Sequence, residues 1–306
     1  MNKKLKQKNK FKQETDLPWK YILNLYFKSF MELCWKDRAK EINWGKKPKF
    51  LDKELIKITK DAAIGNRVVD KLIEVELING NRCCILIHLE IQATQNPDFN
   101  KRMFVYRYRL RDVYDQPIAS IALLLDDDPY WRPCSYSESL WDSEIIMRFP
   151  IIKLIDYNEQ VQELEQSTNP FAIIILAQLI ALKKQEIELK LTSKIKITRK
   201  LYILGFNKKE VLELFKFIDW IIALPKESEI KYMRNVAKLE KEEFNKNFIC
   251  PAEQLWLEQG VGKGKKEVAA SMLEKKMSLK LINEVTGIAI EEIQKLKNAK
   301  EKQRNK

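Results

Sequence analysis

The chain holds a single histidine, His88, in 306 residues, and that scarcity removes a good deal of chemistry. Zinc hydrolases that need two histidine ligands, and strand nickases built on a histidine pair, are excluded. A Ser-His-Asp triad would have to use His88, and no G-x-S-x-G elbow accompanies it. The five cysteines (Cys34, Cys83, Cys84, Cys134, Cys250) show no C-x-x-C spacing. Such an odd, scattered set fits reduced core thiols of a cytoplasmic protein better than disulfides or zinc. No apolar run can cross a bilayer, because the longest, Phe171 to Leu182, is short and interrupted by Gln178. The opening MNKKLKQKNK lacks the apolar stretch of a secretory signal. The glycines of GVGKGKK miss the phosphate-loop spacing G-x-x-x-x-G-K-[ST], so that segment reads as a flexible basic hinge.

What is present is the composition of a globular protein, 45% apolar and 32% charged. The net charge of +13 is concentrated at the ends. Residues 1–12 carry six lysines and no acid, and residues 263–306 carry twelve basic and six acidic residues, which leaves +1 between them. Basic tails can bind phosphate backbones, but with 44 Lys against 12 Arg a lysine-rich coding bias explains them equally well.

Along the chain, residues 1–15 are expected to be disordered. Apolar residues at three- and four-residue spacing from Trp19 to Leu33 predict an amphipathic helix, with Pro18 just inside its start. Leu51 to Ile58 reads as a first strand. Arg67 to Gln92 reads as two strands joined at Asn79-Gly80, the second of which puts Leu86, His88, Glu90 and Gln92 on one face. A basic helix over 100–115 follows, with Lys101, Arg102, Arg107, Arg109 and Arg111 on its polar faces, and then a strand from Ile118 to Leu125. Residues 130–157 extend the sheet or cover its edge. Helices are predicted after Asn169-Pro170, over 185–204, after Asn207 and over 226–247, with two or three short ones in the tail. This divides the chain into a basic arm (1–15), an α/β domain (16–157), a helical extension (158–250) and a basic hinge with a short helical tail (251–306).

The chemistry left open is that of carboxylates. Asp70 and Glu90, on neighbouring strands, can share a hard divalent cation with waters and a phosphate oxygen, and Gln92 lies two residues on where it can orient a water. The register decides whether they meet. A two-residue turn at Asn79-Gly80 would set Asp70 opposite Leu89, on the wrong face. A three-residue loop, Asn79–Asn81, or a bulge sets it opposite Glu90. Taken alone, Asp70 reads as an ordinary polar residue of a strand, His88 as a hydrogen-bonded core residue, and Asp126, Asp127 and Asp128 as strand-end solvation. Arg102 and Tyr106 either touch backbone phosphate or simply cover and pack the helix.

The stretches GNRVVDKLIEVEL, LIHLEIQ, FNKRMFVYRYRLRD, LLLDD and RFPIIKL, and more weakly NPFA and FIDWIIALP, resemble the recombination-promoting nuclease family, also known as YhgA-like transposases. That family belongs to the PD-(D/E)XK nuclease superfamily, and the resemblance covers roughly residues 17–250. It implies an α/β fold with a PD-(D/E)XK-type αβββαβ core, here followed by a mostly helical C-terminal half. It further implies that Asp70 and Glu90 bind Mg2+, that Gln92 stands at the superfamily's lysine position, and that Glu32 of the first helix assists, with His88 auxiliary. The expectation is a Mg2+-dependent endonuclease acting on DNA in recombination or transposition, with Arg102, Tyr106 and Arg109 on the nucleic acid. Self-association would run through the C-terminal helices. Two rivals stand beside it. One is a nuclease fold that binds nucleic acid or assembles without cleaving, which the uncharged Gln92 favours. The other is a DDE-type strand-transfer enzyme, which needs Asp126 or Asp128 beside Asp70.

Overall fold

The computed structural model describes residues 3–53, 70–78, 84–243, 268–273 and 277–294. It is a mixed α/β protein with a five-stranded mixed sheet in the N-terminal half and a mostly helical C-terminal half. By contacts the chain divides into two compact units, Met1–Tyr232 and Met233–Lys306.

The first unit opens with helix α1, Lys3–Cys34, and the short α2, Lys36–Glu41. Residues 3–15, expected to be disordered, belong to α1, which has Pro18 inside it rather than at its start. No glycine or proline interrupts the run before Pro18, and Lys, Leu, Gln and Glu are good helix formers. The predicted apolar stripe is the buried one: Trp19, Ile22, Leu23, Tyr26, Phe27 and Phe30. The first strand differs from expectation. It is β1, Lys49–Phe50, and residues 52–53 are already helical. Leu51 to Ile58 is ambiguous in period, so its partner rather than its pattern chooses where pairing occurs. The rest of that stretch lies outside the described residues.

Strands β2, Asp70–Glu76, and β3, Cys84–Gln92, form the antiparallel hairpin. Helix α3, Phe99–Tyr114, crosses over to β4, Ile118–Leu124, which pairs parallel to β3. Within residues 135–153 one of the two expected outcomes, extension of the sheet, is seen. Strands β5, Ser135–Leu140, and β6, Ser143–Arg148, make a separate two-stranded ribbon, and β7, Ile151–Lys153, joins β4 in parallel. The main sheet thus runs β1-β2-β3-β4-β7, with β3 at its centre. A central strand covered on both faces reads as almost continuously apolar, and residues 86–92 are all buried.

The helical half begins with α4, Val161–Gln166, and α5, Pro170–Leu182. Asn169 caps α5 by accepting the Phe171 amide at 2.8 Å, ahead of proline at the first helical position. Residues 171–179 of α5 are buried all round, as an all-apolar helix must be. Its one polar member, Gln178, accepts from the Trp19 indole and donates to the Leu125 carbonyl, both at 3.3 Å. Three more helices follow: α6, Ile187–Ile203; α7, Lys208–Ile221; and α8, Lys226–Glu243. Asn207 and Glu210 close a reciprocal capping box at the start of α7.

In the second unit, a helix Leu279–Thr286 is capped by Ser278 and stopped by Gly287, whose φ of +67° favours glycine. Ala269, Ile282, Ile288 and Ile293 form its small core. Among the described residues no helix is long and apolar enough to cross a membrane.

Candidate functional site

The site is built where β2, β3, β4 and α3 meet. The hairpin register pairs position 70 with Glu90, position 72 with His88 and position 76 with position 84. Residues opposed across an antiparallel ladder lie on the same side of the sheet, so position 70 shares a face with Glu90 and, two residues on, with Gln92. This is the even register the carboxylate reading required. The connection that sets it, residues 79–83, and the side chain of Asp70 both lie outside the described residues. On the other side, β4 brings Ser120 beside His88 and Ala122 beside Glu90.

Helix α3 closes over this face. Its inward stripe is Phe99, Arg102, Met103, Tyr106 and Leu110, so Arg102 sits in the middle of an otherwise apolar row. Its Nε stands 2.6 Å from Glu90 Oε1, and its Nη2 donates to Gln92 Oε1 at 2.6 Å. The Gln92 amide in turn donates to the Thr94 carbonyl, while the guanidinium lies 5.2 Å over the Phe99 ring. Glu90 and Gln92 are fully buried and Arg102 is only 3% exposed. A carboxylate this far from water needs a matching cation, and the guanidinium fork supplies one while orienting the glutamine beside it.

His88 completes the constellation. Its ring meets Tyr106 edge-on at 5.8 Å, and its Nε2 stands 3.6 Å from Glu90 Oε2, beyond hydrogen-bond reach. Neither ring nitrogen of His88 has a hydrogen-bond partner among the described residues, nor does the buried hydroxyl of Ser120 beside it in register. Native interiors leave few such groups unmatched, and those that remain often belong to functional sites.

The other expected residues fall in different places. Tyr106 is buried, and with Arg102 it faces the sheet, so neither is presented to a phosphate backbone in this arrangement; Arg109 is half-buried. Glu32 is on the exposed side of α1, 3.7 Å from Lys28. Asp126 is buried at the end of β4, where Lys153 Nζ donates to both of its oxygens at 2.8 and 3.0 Å. Asp128 accepts from Gln95 and from the Tyr130 amide. On the opposite face of β2, Lys71 is buried between Asn24 and Asp52, and loss of hydration lowers its pKa more than Asp52 raises it.

Among the described residues no group of three or more His, Cys, Asp or Glu converges as a metal cluster. The register pairs two positions, 70 and 90, that are both acidic in the sequence, and carboxylate oxygens are the hard donors that Mg2+ prefers. A cation there would share Glu90 with the Arg102 guanidinium. The Arg102–Glu90 pairing is the feature sequence reasoning missed. Its signal was positional, since residue 102 lies three after Phe99 and four before Tyr106 on the inward stripe. Compared with family models, curated proteins and solved structures, the chain has no match in any of the three.

Proposed function

We propose that the protein is a Mg2+-dependent endonuclease acting on DNA, its sheet and α3 forming a PD-(D/E)XK-type core. The observation that carries this reading is the register that sets position 70 opposite Glu90, with Gln92 two residues further on the same face. Asp70 and Glu90 would hold the metal, which when bound polarises a phosphate and lowers the pKa of a coordinated water. The chain's own contribution is positioning. Arg102 contacts both the Glu90 carboxylate and the Gln92 amide oxygen through its one guanidinium. It also places a permanent positive charge next to Gln92, which supplies what a glutamine at the lysine position lacks. Burial of Glu90, Gln92 and Arg102 excludes bulk water around them and strengthens these interactions. The test is nicking of supercoiled plasmid in Mg2+ against EDTA by wild type, Asp70→Asn and Glu90→Gln. Metal-dependent nicking lost in both variants supports the reading, and no nicking by pure wild type overturns it.

One observation favours a second reading, a nuclease fold that binds nucleic acid without cleaving it. Glu90 is already neutralised by a guanidinium at 2.6 Å, which competes with any metal for that carboxylate. Binding of DNA retained by a wild type that never nicks would select it.

A further inference from the structure

The outward side of α3 carries a second feature. Phe104, Arg107, Tyr108 and Arg111, at i, i+3, i+4 and i+7, line one wall of a groove of about 350 Å³. The other wall is β6, with Met147 and Arg148 and the half-exposed Ile145 and Ile146. Its lining contains three arginines and no carboxylate. Phe104 stacks on Tyr136 of β5 at 4.7 Å and an interplanar angle of 13°, so helix and ribbon are held together by aromatic contact. Tyr108 stays 49% exposed beside them.

The juxtaposition of Arg107 and Arg111 does not by itself stabilise the helix. Arg107 and Arg111 are a like-charge pair at i, i+4, which costs a helix a few tenths of a kcal/mol. Burial and the neighbouring Arg111 both lower the Arg107 pKa, while its guanidinium is steered onto the Ile118 carbonyl. The partner of Arg111 is Asp115 at 3.1 Å, an ion pair more than half exposed on both sides and readily exchanged for phosphate. The choice of cation is informative too. In a chain with 44 lysines and 12 arginines, all three cations lining the groove are arginines. Guanidinium differs from ammonium in gripping phosphate bidentately and stacking on flat rings.

We infer that this groove binds a single-stranded nucleic acid, with phosphates on Arg107, Arg111 and Arg148 and a base against Tyr108. The inference rests on the proposed function for its ligand class but requires neither metal nor cleavage. A duplex keeps its base faces stacked inside and would leave Tyr108, Ile145 and Ile146 without partners, whereas a single strand offers both backbone charge and open base faces.

The measurement is fluorescence anisotropy of labelled oligo-dT and oligo-rU of about 20 nucleotides, in EDTA and low salt, with a duplex of equal length as comparison. Tyr108→Ala should weaken the tighter single strand by about 5- to 100-fold, the range of one stacked base. Arg148→Ala and Arg111→Ala should each weaken it several-fold and flatten the salt dependence, while Lys208→Ala on α7 changes nothing. All four side chains reach solvent, and thermal melts of the variants should match wild type. The dT and rU arms differ in the sugar and in the base methyl, and an oligo-dU arm separates the two. Groove variants that bind like wild type overturn the inference, as does a duplex bound more tightly than either strand. A dimer dissolved by Ile146→Glu with oligonucleotide affinity intact also overturns it. If wild type never nicks but groove variants lose binding, the catalytic reading fails and the groove stands. If nicking is real and the groove variants bind normally, the groove alone fails.

Discussion

Two of the buried charged clusters of the first unit differ in how fully their polar atoms are matched. In the helical half, Lys194 donates to Asp219 at 2.9 Å and to both oxygens of Glu229 at 2.9 and 3.2 Å, and its ammonium lies 4.3 Å over Tyr232. Glu229 also accepts the Leu224 amide, and the Thr198 hydroxyl joins the Lys194 carbonyl to the Tyr232 hydroxyl. Under the sheet, Arg102 forms an ion pair with Glu90 at 2.6 Å and donates to Gln92, yet His88 and Ser120 beside them have no hydrogen-bond partner among the described residues. A closed network of the first kind locks helices in place. A network with unspent donors and acceptors is where a ligand can find partners.

Activity should separate the clusters most widely. Glu90→Gln keeps the shape of the site but removes the charge, and nicking should fall by at least about 100-fold. Lys194→Met should leave nicking per folded molecule unchanged. Equal losses in plasmid assays would erase the distinction.

Stability gives the next contrast. Glu90→Met leaves the Arg102 guanidinium buried and uncompensated and should cost about 3–5 kcal/mol in denaturant melts. Adding Arg102→Met should recover most of it, because a buried ion pair replaced whole by apolar residues is often near neutral. Lys194→Met should cost about 2–4 kcal/mol, since Asp219 and Glu229 keep partial access to water. A double variant at 90 and 102 no more stable than the single one would show that their contact is not what holds α3 on the sheet.

Single hydroxyls sharpen the point at smaller scale. Thr198→Val breaks two hydrogen bonds of 2.8 Å and should cost about 1–2 kcal/mol. Ser120→Ala removes a buried hydroxyl that has no partner among the described residues and should lie within about 0.5 kcal/mol of wild type or be stabilising. A costly Ser120→Ala would mean that this hydroxyl is already satisfied.

The smallest effect is on pH. Burial raises the Glu229 carboxyl pKa more than Lys194 lowers it, so Glu229 binds its proton more tightly folded than unfolded. Its contribution to stability is therefore full below the ordinary value of 4.5 and is lost as pH rises through the raised one. Glu229→Gln should flatten that part of the stability profile in pH-dependent melts.

Much of the framework was legible beforehand. The span of α3, the strand at Ile118, and the caps at Asn169 and Asn207 follow from periodicity and local hydrogen-bond chemistry, which neighbours along the chain supply. The parity of the hairpin was legible too, once Asp70 was required to face Glu90. The position of β1 was not, because a two-residue strand carries no period and is defined only by Ile73 and Glu74 across from it. Nor was the inward turn of Arg102. A charged residue on a helix reads as solvent-facing until another element places a carboxylate opposite, and Glu90 is twelve residues away on a strand.

Residue order alone was enough for the local elements, the caps and the single-histidine chemistry, since each depends on interactions within a few residues. Which carboxylate Arg102 neutralises, which groups around His88 lack partners among the described residues, and that α3 offers one face to the sheet and another to a groove against β6 depend on packing between distant segments. Burial and charge compensation exist only once those segments meet, and no periodicity along the chain encodes them.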